Sequence, residues 1–222
     1  KGFLIWFISK ISKNFSAMIA YTYTQSKDVS SNPGSQAASA WSNNLSVRGQ
    51  NDLDLNPSQF AVPHRVVGAI SYRFEYLNAL ATSISLFYDG ANTGRYDYRY
   101  TSDFNRDGIN SDLIYIPASP DEITFTDIVS SGNVVFTAKQ QSDAFFNYVE
   151  QDKYLSKNKG KYAERNGAVL PWRNRFDLRL LQDIFTNIKG RKHTLQLSVD
   201  MLNVGNLLNS DWGIIQTTNY NN

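Results

Sequence analysis

The chain has no cysteine among its 222 residues. That excludes a disulfide-stapled scaffold and a thiolate metal site alike. Charge of one sign is also scarce in surplus: 22 basic against 20 acidic residues leave a net charge of +2, and no nucleic-acid partner is expected. No run approaches the roughly 18 consecutive apolar residues of a membrane helix, and the mean hydropathy of -0.40 is that of a water-soluble chain. Helical spanning is thereby excluded. Crossing by strands is not, because barrel strands hide their apolar residues at every second position. The opening KGFLIWFISK lacks the small-residue cleavage site of a signal peptide, and neither end reads as a natural terminus. The sequence is therefore expected to be a fragment.

Catalytic constellations are missing too. The two histidines, His64 beside Pro63 and His193 at a turn, are expected at opposite ends of their strands. No G-x-S-x-G elbow and no phosphate-loop spacing occurs, and carboxylate pairs such as Asp121 and Glu122 read as ordinary loop acids. No enzyme activity is expected.

What is present is alternation. In the stretch 172–209, Phe176, Leu178 and Leu180 alternate with Arg175, Asp177 and Arg179. Leu195, Leu197, Val199 and Met201 then alternate with Thr194, Gln196, Ser198 and Asp200. Period two puts each set on its own face of a strand, and the connector 187–192 holds Gly190 for a tight turn. The same pattern recurs over 15–24, 66–74 and 80–89, while 3–10 is continuously apolar. Polar, aperiodic segments at about 25–62 and 90–171 read as loops. A helix is expected near 140–157, with Phe145, Tyr148, Val149 and Leu155 on one face. It reads as a lid over a ligand mouth or as loop filling.

Connections thus alternate short and long. Outer-membrane barrels pair short periplasmic turns with long extracellular loops, and the strands suit the roughly 9–11 residues of one crossing. Lys10, Lys13, Lys189, Arg191 and Lys192 cluster at the short turns. The expected fold class is all-β: about six strands of a larger transmembrane antiparallel β-barrel, with long extracellular loops, one carrying a short helix. Six strands do not close a barrel, so further strands are expected on both sides. The alternative is a secreted β-rich calcium-dependent binding or adhesion module. A passive porin is a third reading.

Several stretches, among them VPHRVVGAISYRFEY, DFNRDGINSDLIYIP, YAERNGAVLPWRNRFDLRLLQDI and SVDMLNVGNLLNSDWG, resemble the C-terminal half of TonB-dependent outer-membrane receptors of the Bacteroidota. The likeness is to the Oar-like type that carries a carboxypeptidase-regulatory-like domain. NVGNLLN is similar to that family's Asn-Leu-Phe-Asn strand motif, with Leu208 where Phe is common. The resemblance implies active uptake of a scarce nutrient across a Gram-negative outer membrane. It also implies partners: outer-membrane lipid, a plug domain that this sequence lacks, the TonB complex, and a surface lipoprotein as in related SusC-like systems.

Three groups of residues are candidate sites. Asp103, Asn105, Asp107 and Asp112, with the Ile109 carbonyl, space oxygens as in the first half of an EF-hand loop, with Gly108 at the sixth position. The twelfth is Ile114 rather than Glu, so either a looser Ca²⁺ loop or an Asx-rich turn fits. Trp41, Tyr96, Tyr98, Tyr100, Phe104 and Tyr115 are candidates for a ligand mouth, because long loops on a rigid scaffold carry recognition. Arg175, Asp177, Arg179 and Asp200 are candidate lumen residues. They either pair with one another across the wall or, as the resemblance implies, meet a plug.

Overall fold

The five alternating stretches and the continuously apolar run 3–10 pair in one register. The computed structural model, which describes residues 1–218, builds one antiparallel sheet in sequence order. We label its strands β1 (Gly2–Lys10), β2 (Phe15–Thr24), β3 (His64–Tyr76), β4 (Leu80–Asn92), β5 (Trp172–Ile188) and β6 (Arg191–Met201). Valine, isoleucine, threonine and aromatic residues fill them, and these pack well on a pleated surface. With the flanking segments they form one unit, which among the described residues comprises Lys1–Gln25, Ala61–Gly94 and 170–218.

Directly paired residues lie on the same face of a sheet. Ser9 pairs with Ala17, Ala17 with Ile70, Ile70 with Leu86, Leu86 with Leu178, and Leu178 with Met201. The next row runs Phe7, Ile19, Gly68, Tyr88, Phe176. On the opposite face, Arg73, Ser83 and Leu181 make one row, and Glu75, Ala81, Asp183 and Gln196 another. A slip of one residue at any pairing would mix the two faces. The register keeps the ion-pairing residues on one face from β2 to β6, although Met18, Val67, Phe87 and Leu181 also stand on that face, and in β1 Leu4, Trp6 and Ile8 join them.

Turn chemistry fixes this register. Lys189 and Gly190 connect β5 to β6 in two residues, both with positive φ (51° and 76°), the conformation whose twist matches a hairpin. Leu77 and Asn78, also at positive φ, lead from β3 to β4. At the β1–β2 turn the Ser12 hydroxyl accepts the Asn14 and Phe15 N–H groups. The connector expected over 187–192 is therefore shorter than its boundaries, because the ladder reaches Ile188 and Arg191. The expected hairpin 172–209 is shorter as well. Its ladder ends at Met201; Asn203 turns left-handed at φ 54°, and Val204–Leu207 is a 3-10 turn. NVGNLLN is thus not a strand. Gly205 is buried there, and a Cβ on it would meet Phe176 Cδ2 at 2.8 Å. That close approach explains the glycine.

The long segments, expected as loops, fold together into a second unit, Ser26–Phe60 with Arg95–Val169. Leu45, Leu113, Ile116, Val149, Leu155 and Ala163 make its core, with Val47, Tyr98, Ile114, Phe145 and Tyr154 packed around them. Backbone bonds join its two segments: Ser46 N–H to Ser111 O at 3.1 Å, and Leu113 N–H to Ser46 O at 3.0 Å. Helix α1 spans Ala37–Ser42 and helix α2 spans Ala138–Gln151. The helix expected near 140–157 begins earlier, where Thr137 and Gln140 form a capping box. It stops at Asp152, whose backbone is extended. Leu155 belongs to a separate 3-10 turn, Leu155–Lys157. Arg165, with a side chain only 4% exposed, donates to the Asp28 carbonyl and Oδ1, both at 2.7 Å, and to Ser31 Oγ at 2.6 Å. No helix among the described residues is long and apolar enough to cross a membrane.

Candidate functional site

The polar face of the sheet carries an ordered set of ion pairs. Asp89, nearly buried, accepts from Arg65 at 2.8 Å and from Arg173 at 2.5 Å. Arg73 reaches Asp183 at 2.7 Å, and Gln196 donates to the other oxygen of that carboxylate at 2.7 Å. Arg175 pairs with Asp177 at 3.0 Å, and Arg179 with Asp200. All four expected lumen residues are therefore partnered by one another. Asp177 also accepts the Asn203 N–H at 2.7 Å. Buried or half-buried charge is tolerated because each carboxylate has a guanidinium or amide partner. Arg65, Arg73, Asp89, Arg173 and Asp183 were not singled out by sequence. Their signal was the same strand parity, which puts them on the polar face; their pairing needed the cross-strand register.

The opposite face has no such groups across its middle. Ile19, Ile70, Ile84, Leu195, Leu197 and Val199 stand exposed there. Aromatic residues gather toward its ends: Phe3, Tyr21, Tyr23 and His64 at one, and Tyr72, Phe74 and Tyr76 at the other. His64 accepts or donates at 2.7 Å with the Tyr21 hydroxyl. His193, opposite Thr186, lies near the Lys189–Gly190 turn. The histidines are thus at opposite ends of the sheet.

In the second unit the expected mouth aromatics divide into separate groups. Tyr96 and Tyr98 point their hydroxyls at Asp152 Oδ2, at 3.4 and 2.7 Å, and Tyr98 stacks on Tyr154. Burial pushes both Tyr96 and Tyr98 above the ordinary tyrosine range. These two are packing groups as much as surface ones. Tyr100 stacks on Phe104 at 4.0 Å between ring centroids. Tyr115 packs edge-on against Tyr162 and donates to Glu122. Trp41 lines an open groove of about 560 Å³ with Arg48, Gln50, Asp52, Asn105 and Asp107. Arg48 is held by Asp52 at 2.6 Å and by Asp54 at 2.8 Å.

The oxygen-rich loop is ordered by its own backbone. Asp103 accepts the N–H groups of Asp107 and Gly108 at 3.0 and 2.8 Å. Asn105 Oδ1 accepts the Asp107 N–H, and Asp107 Oδ1 accepts the Ile109 N–H, each at 2.9 Å. Arg106 and Gly108 supply positive φ, at 62° and 92°. Asp112 is spent differently: its Oδ2 accepts the Phe104 and Asn105 amides from a buried position. Among the described residues no three of His, Asp and Glu gather into a metal-binding group.

Asp97 carries a pH dependence of its own. Burial raises its carboxyl above the ordinary value of 3.8, opposed by the Asn166 amide and the Arg165 charge. The folded state then binds that proton more tightly than the unfolded one. Its stabilising contribution is complete below the ordinary pKa and is lost as pH rises through the raised one. Asp97→Asn is expected to remove that loss and flatten the melting profile of the second unit above about pH 4. Thermal melts across pH read it directly; an unchanged profile would contradict the burial argument.

Compared with models of protein families, with curated proteins and with solved structures, the chain matches none of them.

Proposed function

We propose that the six strands are one arc of an outer-membrane β-barrel that takes up a nutrient, with the energy delivered through TonB and the ligand bound by the two long segments. One observation carries the reading: five consecutive strands, β2 to β6, keep an exposed apolar face in one register, with ion pairs on the other. Soluble monomers seldom leave contiguous apolar patches beyond roughly 300–600 Å². Lipid on one side and a wet lumen on the other would satisfy both faces. Aromatic residues toward both ends of the apolar face suit the two membrane interfaces. The TonB link rests on the sequence resemblance alone.

A secreted β-rich binding module is the second reading, favoured by the folded unit made from the two long segments. The uncovered apolar face weighs against it, since a sheet in water normally packs that face on a second layer. Fractionation separates the two. An antibody to residues 148–167 is expected to detect the protein in the outer-membrane pellet and in detergent extracts. A band confined to the aqueous fraction would overturn the transport reading and favour the secreted module. Open-channel conductance of the purified protein would favour a passive porin instead.

A further inference from the structure

Gln50, which lines the groove beside Trp41, carries an acceptor that no described residue satisfies. Gln50 is 6% exposed. Its amide nitrogen donates to Ser111 Oγ at 2.5 Å, while its buried carbonyl oxygen Oε1 has no hydrogen-bond partner among the described residues. A buried acceptor left unpaired costs about 1–3 kcal/mol, and a ligand that supplied a partner would recover that cost. Its surroundings say which kind. Gln50 shares the groove with Asn105, Asp107 and Ile109 of the oxygen-rich loop. The backbone before it approaches the same loop: a Cβ on Gly49 would meet Asp107 Oδ2 at 3.4 Å.

We infer that a Ca²⁺ ion binds between these two segments, held by Asp103, Asn105, Asp107, the Ile109 carbonyl and Gln50 Oε1. The ion thereby staples 26–60 to 95–169. Five protein oxygens, completed by water, suit the six to eight that Ca²⁺ takes in flexible geometry. Mg²⁺ is disfavoured, because it demands near-ideal octahedral geometry and sheds water reluctantly. The N–H bonds already made by the three side chains leave lone pairs free, as carboxylate and amide oxygens each offer more than one acceptor site. Asp112 is not a ligand in this arrangement; it positions the loop through the Phe104 and Asn105 amides. Nor is Asp52, which is committed to Arg48. With two carboxylates and no bidentate Glu, the affinity belongs to the weak extracellular class, a Kd of about 10⁻⁴–10⁻³ M. The site does not depend on the transport reading.

Trp41 provides the probe, since an indole lining the groove sensitises bound Tb³⁺. Titration of the whole chain with Tb³⁺, competed by Ca²⁺, is expected to show one saturable site that Mg²⁺ displaces poorly. Asp107→Asn is expected to weaken Ca²⁺ at least about tenfold, while the distant Asp121→Asn leaves it unchanged. Gln50→Glu replaces the neutral oxygen by a carboxylate and is expected to tighten Ca²⁺ about tenfold, a gain that misfolding does not mimic. Ca²⁺ should also slow proteolysis of both segments in the native chain and not in Asp107→Asn. Absence of saturable Ca²⁺ binding below about 10 mM, ten times the weak limit of that class, would overturn the site. Unchanged affinity in Gln50→Glu would overturn the staple and confine the ion to the loop.

Discussion

Leu86→Arg is expected to cost the sheet about 2–4 kcal/mol when the protein sits in a bilayer. Leu86 pairs with Ile70 on β3 and with Leu178 on β5, halfway along the apolar face. An arginine there would have to leave its charge in hydrocarbon or distort the bilayer to reach water. The control is one position away: Ser85, on the polar face, bonds Ser71 at 2.9 Å, and Ser85→Arg should cost much less in the same bilayer. Equilibrium unfolding from vesicles reads the difference. If the face instead looked onto water, Leu86→Arg would fall within about 0.5 kcal/mol of the parent, as surface substitutions do. The size of the Leu86→Arg cost beside that of Ser85→Arg therefore decides what solvent the face meets.

The second large effect is expected at Arg165→Ala, which should cost the second unit about 3 kcal/mol, the low end for breaking a buried ion pair. Asp28 retains some water, which keeps the figure at that end. The arginine ties Asp28 and Ser31 of one segment to the stretch around Asn166 in the other. Arg165→Lys should recover only part of the loss, because an ammonium lacks the planar fork that reaches both partners. Hydrogen exchange is the readout: amides of Leu113 and Ile116 should lose protection while those of β4 and β5 keep theirs. Equal loss in both units would show that the arginine supports more than its own core.

Much of the sheet was legible in the sequence, because period-two alternation is a local property. Every strand expected from 3–10 to 194–201 is present, and the parity of each assigns its faces. What alternation does not give is where a ladder stops. β4 extends to Asn92 and β5 begins at Trp172 because those two residues pair with each other. NVGNLLN read as strand by likeness, yet a left-handed Asn203 ends the ladder before it. The second unit was less visible. Its core draws single apolar residues, such as Leu45 and Leu113, from stretches that are otherwise polar, and no periodicity marks them.

The candidate sites divide in the same way. Asp103, Asn105 and Asp107 were legible because their spacing is itself the chemistry of the loop. Gln50 was not: one glutamine in a polar stretch carries no signal until Ser111, far along the chain, fixes its amide. Tyr96 and Tyr98 were grouped with surface aromatics by composition, whereas Asp152 and Tyr154 draw their rings inward. Arg179 and Asp200 face each other only because β5 and β6 share a two-residue turn.

Spin labels placed one at a time from Ser83 to Tyr88 on β4, with oxygen and a water-soluble nickel complex as the two relaxants in native membranes that hold the protein, read directly which face meets lipid. Period two is expected: labels at Ile84, Leu86 and Tyr88 relaxed by oxygen, those at Ser83, Ser85 and Phe87 by nickel. Uniform access to nickel along the strand, or alternation in the opposite phase, would contradict it.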